Sequence, residues 1–311
     1  MKGIKNVLIT GVAGFIGSNL LDFLMEETNW NITGVDNYST GNKKNVAAHL
    51  LSPRFTLVEE SVSSIKSLKE FECIFHLAAL PRIQPSFEFI TEHISENLTN
   101  AMYLIELMIK ETHFPRFVFS SSSAIYGTPS IIPTPESEKI DCLSPYAFQK
   151  YEVERYLKIL ATRYPLDFIC LRYFNPYGPR SFNPENKFNA YSSVIGIFLD
   201  RLSKGKPLLV TGDGKQRRDF VHVRDLARAN YLAAVAEEQL NTAFNIGNGE
   251  TISVVEVAQI LTDNIEFIPK REGESDVTYA DISHVKAMLN WAPESNIMDY
   301  LLEEKGKIIR T

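Results

Sequence analysis

The chain has 311 residues, 44% hydrophobic and 23% charged, with a net charge of -6. That is ordinary globular composition, long enough for one large domain or two lobes sharing a sizeable core. The acidic balance speaks against a dedicated nucleic-acid binder, which would be basic, and the absence of an uninterrupted apolar run of about 18 residues leaves no membrane span to expect.

The first segment, MKGIKNVLITGVAGFIGSNLLDFLM, has the basic start and apolar run of a signal peptide. Gly11, Gly14 and Gly17 interrupt it and no small-residue cleavage site follows, so it reads as structure. Cys73, Cys142 and Cys170 are scattered, with no metal-ligand spacing; reduced thiols in a cytoplasmic protein are expected, with no metal site. The sequons at Asn31 and Asn97 are then coincidences.

Residues 6–11, 31–36, 55–59, 73–78, 116–120 and 166–174 are short β-forming runs. Their near-continuous apolar character suits parallel strands buried on both faces. Between them, 14–27, 43–50, 89–111 and 144–164 carry helical spacing. Such alternation predicts a doubly wound α/β sheet. After Asn175 the rhythm changes: NPYGPRSFNPENKF reads as a loop. Helices are expected near 188–203, 223–237, 252–263 and 295–305, and strands at 207–210, 243–246 and 265–268. A smaller, irregular lobe covering the strand ends follows from this pattern.

TGVAGFIG joins the first strand to the first helix, with glycines spaced G-x-x-G-x-x-G. Glycine lets backbone approach a pyrophosphate, and a helix N-terminus offers free N–H groups and a positive dipole end to the anion. A glycine triplet is weak evidence by itself. Asp36 strengthens it, ending the second strand about 20 residues on, where a carboxylate bonds ribose hydroxyls. Its charge would repel a 2′-phosphate, favouring NAD over NADP; a surface turn acid is the plainer alternative.

The serines in FVFSSSSAIYG fit either a flexible loop or the floor of a site. In SPYAFQK, Tyr146 and Lys150 stand one helical turn apart on one face. Phenol has an ordinary pKa of about 10; a neighbouring cation favours the phenolate and makes a proton acceptor suited to a hydroxyl whose carbon loses hydride. The same spacing also occurs by chance on exposed helices.

Taken in order, TGVAGFIG, VDNYSTG, HLAALPR, FSSSSAIYG, SPYAFQK, LRYFNPYGPR, GDGKQRRDFVHVRDLARA, FNIGNGE and REGESDVTYADIS resemble the extended short-chain dehydrogenase/reductases, in particular their nucleotide-sugar epimerases. The resemblance covers nearly the whole chain. It implies a Rossmann-type fold with a NAD-binding domain over residues 1–175, to which segments near 212–245 return, and a substrate-binding lobe within 176–311. It also implies tightly held NAD and a UDP-sugar substrate.

Carried over by position, Tyr146 is the acid/base and Lys150 its partner, while Ser122 bonds the sugar oxygen at C4 with Ser123 as a helper. Gly11, Gly14, Phe15, Ile16, Gly17, Asp36, Asn37, Ala78, Ala79, Asn97 and Ser120 fall on cofactor positions. Asn175, Arg218 and Arg271 fall on sugar-diphosphate positions, where the arginine fork suits phosphate. Ser61-Val62 replaces an Asp-Ile pair common beside adenine, which weakens that contact, and Thr211 replaces an aromatic residue near the nucleobase.

The family's reactions share oxidation at C4. Its dehydratases place Asp-Glu, and its decarboxylases a Glu, where this chain has Ser123-Ala124. Alanine transfers no proton, so 4-epimerisation is expected: a 4-keto sugar forms, turns, and is reduced on its other face. Thr278, seven residues after Arg271, takes the place of a residue that gates the sugar's C2 group, and threonine leaves room for an acetamido substituent. UDP-N-acetylglucosamine, UDP-glucose or both are the expected substrates. A 4-ketosugar reductase or dehydrogenase, and a non-catalytic NAD-binding regulator, are the rival readings. Related enzymes pair the 89–111 and 144–164 helices across a dimer, so a homodimer is expected by analogy.

Overall fold

In a computed structural model of the protein, residues 3–81, 83–183, 193–270 and 275–310 are described. Strands β1 (Asn6–Thr10), β2 (Asn31–Val35), β3 (Phe55–Val58), β4 (Cys73–His76), β5 (Arg116–Ser122) and β6 (Phe168–Tyr173) form one sheet. Further on come β7 (Leu208–Thr211), β8 (Arg217–Arg218), β9 (Thr242–Ile246), β10 (Ile252–Ser253), β11 (Ile265–Ile268) and β12 (Val277–Thr278). The large sheet runs β3-β2-β1-β4-β5-β6-β9, parallel throughout. The expected doubly wound, Rossmann-type architecture is therefore present. Its order reverses between β1 and β4, which opens a crevice at the strands' C-terminal ends.

The helices are α1 (Phe15–Glu27), α2 (Ile83–Glu88), α3 (Ile90–His93), α4 (Asn100–Glu111), α5 (Pro145–Leu160), α6 (Val194–Ser203), α7 (Val223–Val235), α8 (Val254–Leu261), α9 (Ser283–Leu289) and α10 (Ile297–Arg310). Strand side chains alternate between two cores. Val7 and Ile9 of β1 pack with Leu20 and Leu24 of α1 and Ala229 of α7 on one face. Leu8 of the same strand packs with Leu104 and Met108 of α4 and Val153 and Leu157 of α5 on the other. A third core, built on Ile195, Phe198, Leu208, Val257 and Leu301, holds the smaller lobe.

The structure departs from the periodicity in two places among the described residues. Lys43–His49 is a 3-10 helix. The expected 89–111 helix is broken by a π-helical turn at Ile94–Thr99, which carries the inward-turned amide of Asn97. Of the helix expected near 188–203, residues 188–192 lie outside the described residues and Val194–Ser203 is helical, started by the Ser193 hydroxyl accepting the Gly196 N–H. Strands β8, β10 and β12 hold two residues each, too few to show alternation, yet they form the second lobe's three-stranded sheet.

Candidate active site

A cleft of about 820 Å³ lies at the C-terminal ends of the large sheet and is closed from the other side by the smaller lobe. The turn after β1 forms its first wall. Gly11 has φ +73°, where a side chain is strained, and a Cβ at Gly17 would stand 2.1 Å from the Gly11 carbonyl oxygen. Gly14 caps α1 without a side chain, and the first turn carries no acid. The backbone N–H groups and dipole end of α1 are thus presented to an anion.

Asp36 fastens this turn. Its Oδ2 accepts the Ala13 N–H at 2.8 Å and its Oδ1 the Tyr38 N–H at 2.7 Å. Burial raises its pKa, and the backbone donors oppose that rise. Asn37, Val62, Leu77, Ala78 and Ala79 continue the wall with Phe15 and Ile16. Two expected cofactor residues are not on it. Asn97 is buried behind, its amide bonding both backbone groups of Leu80 and the Gln149 side chain; it positions the Leu80 segment, because a buried amide satisfies itself locally. Ser61 caps a short 3-10 turn, and its neighbours Glu60 and Val62 line the cleft instead.

The four serines split between strand and turn. Ser120, Ser121 and Ser122 finish β5, and Ser122 begins the next turn by accepting the Ala124 N–H at 3.2 Å. That bond engages the Ser122 oxygen as acceptor and leaves its O–H as a donor. Ser123 and Ala124 follow on the cleft wall. Opposite stands α5, started by a Ser144 cap and Pro145. Tyr146 lies in its first turn with its N–H on the Ser86 hydroxyl at 3.2 Å. Lys150 is 3% exposed; its ammonium donates to the Ser120 carbonyl at 2.8 Å and sits 4.9 Å from the Phe119 ring centroid. Burial pushes Lys150 down to about 7.

The second lobe supplies the far wall. The Asn175 amide donates to the Asp219 carbonyl at 2.7 Å and to Thr278 Oγ1 at 2.8 Å. Asn175, Arg218 and Thr278 all line the cleft; Arg271 lies outside the described residues. Sequence reasoning missed Val194, Ile197, Phe198 and Arg201, which line it from α6. Their i, i+3, i+4, i+7 spacing is a helical stripe that reads as core. It also missed Glu96, half-buried, bonded by Asn100 at 3.1 Å and raised in pKa by burial. Among the described residues no cluster could hold a metal ion, and no helix is long and apolar enough to cross a membrane.

These residues fit a dinucleotide: a cradle that side chains would fill, an uncapped helix start facing it, and an acid at the end of β2. Bound there, NAD supplies a two-electron acceptor that takes a hydride and gives it back.

Known proteins support the same assignment. The profile of the NAD dependent epimerase/dehydratase family matches residues 7–247. The structure of UDP-N-acetylglucosamine 4-epimerase from Methanobrevibacter ruminantium M1, in complex with UDP-N-acetylmuramic acid, is 30% identical with a TM-score of 0.89, covering 99% of both chains. UDP-glucose 4-epimerase from Thermotoga maritima, with UDP-glucose, is 33% identical with a TM-score of 0.87 over 98% of both chains. UDP-glucuronic acid 4-epimerase from Bacillus cereus, in complex with UDP-glucuronic acid and NAD, is 26% identical with a TM-score of 0.88, covering 98% of this chain and 99% of that one.

Proposed function

The chain belongs to the NAD dependent epimerase/dehydratase family, and we propose that it interconverts UDP-sugars epimeric at C4 through a 4-keto intermediate. The observation that carries this is the makeup of the β5–α5 corner of the cleft. Ser122 at the end of β5, Ala124 in the turn after it, and Tyr146 and Lys150 of α5 all line the cleft. The cleft's carboxylates, Asp36, Glu60, Glu96 and Asp200, come from other elements among the described residues. The corner holds one proton acceptor and lacks the second acid that elimination or decarboxylation needs.

In this mechanism the Ser122 hydroxyl donates to the C4 oxygen and fixes its place. Tyr146 takes the C4 hydroxyl proton, and Lys150, one turn along, stabilises the phenolate. Being near 7, Lys150 is readily recharged when that anion forms beside it. Tyr146 then returns the proton once the keto sugar has turned. Arg218 holds the diphosphate, and Asn175 and Thr278 flank the sugar. Thr278 is small enough to admit a 2-acetamido group, so UDP-N-acetylhexosamines and UDP-glucose are both substrates.

A homodimer goes with this function, pairing the 89–111 segment and α5 across two copies, with exposed apolar side chains on α5 and on the neighbouring α2 and α3. Phe87, Ile90, Phe148 and Ile159 on them are each more than half exposed. A cytoplasmic location fits as well, since UDP-sugars and NAD are drawn from that pool.

The deciding experiment incubates the purified protein with a panel of UDP-sugars and identifies products by NMR. Tyr146→Phe should stop turnover while NAD stays bound. Net change at the nicotinamide absorbance band during turnover would instead mark a dehydrogenase or reductase.

A further inference from the structure

One turn beyond Lys150, α5 carries a third polar residue on the same face, Glu154, so that positions 146, 150 and 154 form a row. Glu154 is buried at 7% exposure. The Arg172 guanidinium of β6 grips it as a fork, Nε to Oε1 at 3.1 Å and Nη2 to Oε2 at 2.7 Å. Oε1 also accepts the Ser121 hydroxyl at 2.5 Å. Arg172 Nη1 donates to the Tyr126 hydroxyl at 2.8 Å and to the Glu136 carbonyl at 3.1 Å. Tyr126 in turn donates to Asn245 Oδ1 on β9 at 2.7 Å.

Three strands and a helix therefore converge on one buried ion pair directly behind the catalytic corner. Ser121 stands between Ser120, whose carbonyl receives Lys150, and Ser122. The catalytic helix is fastened to β5 twice, at Lys150 and again at Glu154. A buried pair of this kind adds little net stability, because desolvation offsets attraction and well-packed apolar replacements are often neutral or better. What it supplies, and apolar packing does not, is direction. A bidentate fork fixes one register, whereas aliphatic side chains tolerate small slides of a helix over a sheet.

We propose that Glu154 and Arg172 are positioning residues for the reaction, setting the register of Tyr146 against Ser122. The proposal rests on those two residues acting at the sugar's C4. A shift of about 1 Å between reacting groups is enough to cost about 100-fold in rate, so the pair's effect belongs in kcat.

The test is the double variant Glu154→Leu with Arg172→Met, which removes both buried charges and leaves neither one unpaired. The expected result is a melting temperature near that of wild type, retained NAD, KM for UDP-glucose within about twofold, and kcat lowered about tenfold or more. A folded double variant with wild-type kcat overturns the proposal. If the double variant does not accumulate as folded protein, Ser121→Ala decides, since it cuts the link to β5 and spares the ion pair. A kcat several-fold down at unchanged KM and melting temperature supports the clamp, and an unchanged kcat overturns it. Wild-type enzyme assayed alongside separates the two levels: inactivity of the unmutated chain on every UDP-sugar would sink the epimerase assignment itself, and the clamp with it.

Discussion

Lys150 is a cation kept where water is not, with one carbonyl and one aromatic face for company. Its pKa falls from 10.5 to about 7 through burial. The folded state therefore releases, between those values, a proton that the unfolded chain still holds. The resulting loss of stability is absent above about pH 10.5, grows as the pH falls, and is complete below about pH 7. Lys150→Met should accordingly melt higher than wild type, most of all at pH 7 and below, with the gap closing towards pH 10. Its kcat should drop by at least about 100-fold, a stability gained where function had required strain. Thermal melts across pH check the first part, and equal melting temperatures at all pH values would count against it. Thr278 has two connections, to the cleft and to Asn175. Thr278→Tyr should reduce kcat/KM for UDP-N-acetylglucosamine about tenfold or more relative to UDP-glucose, since a buried ring displaces the acetamido group. Equal losses on both sugars would mean that it acts through Asn175 and gates nothing. The sequence showed Tyr146 and Lys150 at helical spacing; the burial that sets Lys150's charge comes from Phe119 and the sheet, which no local pattern reveals. The inward turn of Asn97 was hidden for a related reason, because an amide's position in a motif does not tell which way a π turn will face it.

Helix α5 begins on the cleft wall, and its start is written locally. Ser144 accepts the Ala147 N–H at 3.1 Å and Pro145 fits the first turn. Ser144→Ala should cost about 1 kcal/mol, lowering the melting temperature by a few degrees. Because Tyr146 sits in that first turn, fraying should lower kcat by more than it raises KM. Calorimetry with steady-state kinetics tests both, and an altered melting temperature with unaltered kcat would show the first turn held by Ser86 alone. At this scale the β-rich runs and capped helices were legible, since propensity, caps and tertiary contacts agree there. Two-residue strands such as β8 and β12 were not. They exist because the Arg217 N–H bonds the Asp276 carbonyl and the Asp219 N–H the Thr278 carbonyl, pairings between segments some 60 residues apart. The stripe on α6 was left without a role, because apolar spacing looks alike whether it faces a core or a ligand.

At the scale of the whole molecule, α2, α3 and α5 expose large apolar side chains. Phe148 is 55% exposed and Ile159 56%, and patches of this kind mark protein contacts. Light scattering should give twice the chain mass, and Phe148→Glu with Ile159→Glu should give a folded monomer. A wild-type monomer would remove the homodimer. The sheet itself was legible from alternation of strands and helices, since right-handed crossovers leave few ways to arrange it. Strand β9 is the least local part of that sheet. The chain leaves for the second lobe after β6, returns to lay α7 on α1 and β9 beside β6, departs again for α8, comes back with α9 against β9, and ends with α10 in the smaller lobe. The two lobes are stitched together, so neither is a cassette. A graft that exchanged everything after Asn175 would carry away the seventh strand and α7 with the smaller lobe. To move the smaller lobe alone, segments on either side of α7 and β9 must be exchanged while α9 stays behind on the large sheet. New specificity in this scaffold is therefore reached more readily by changing single side chains on the cleft wall than by shuffling modules.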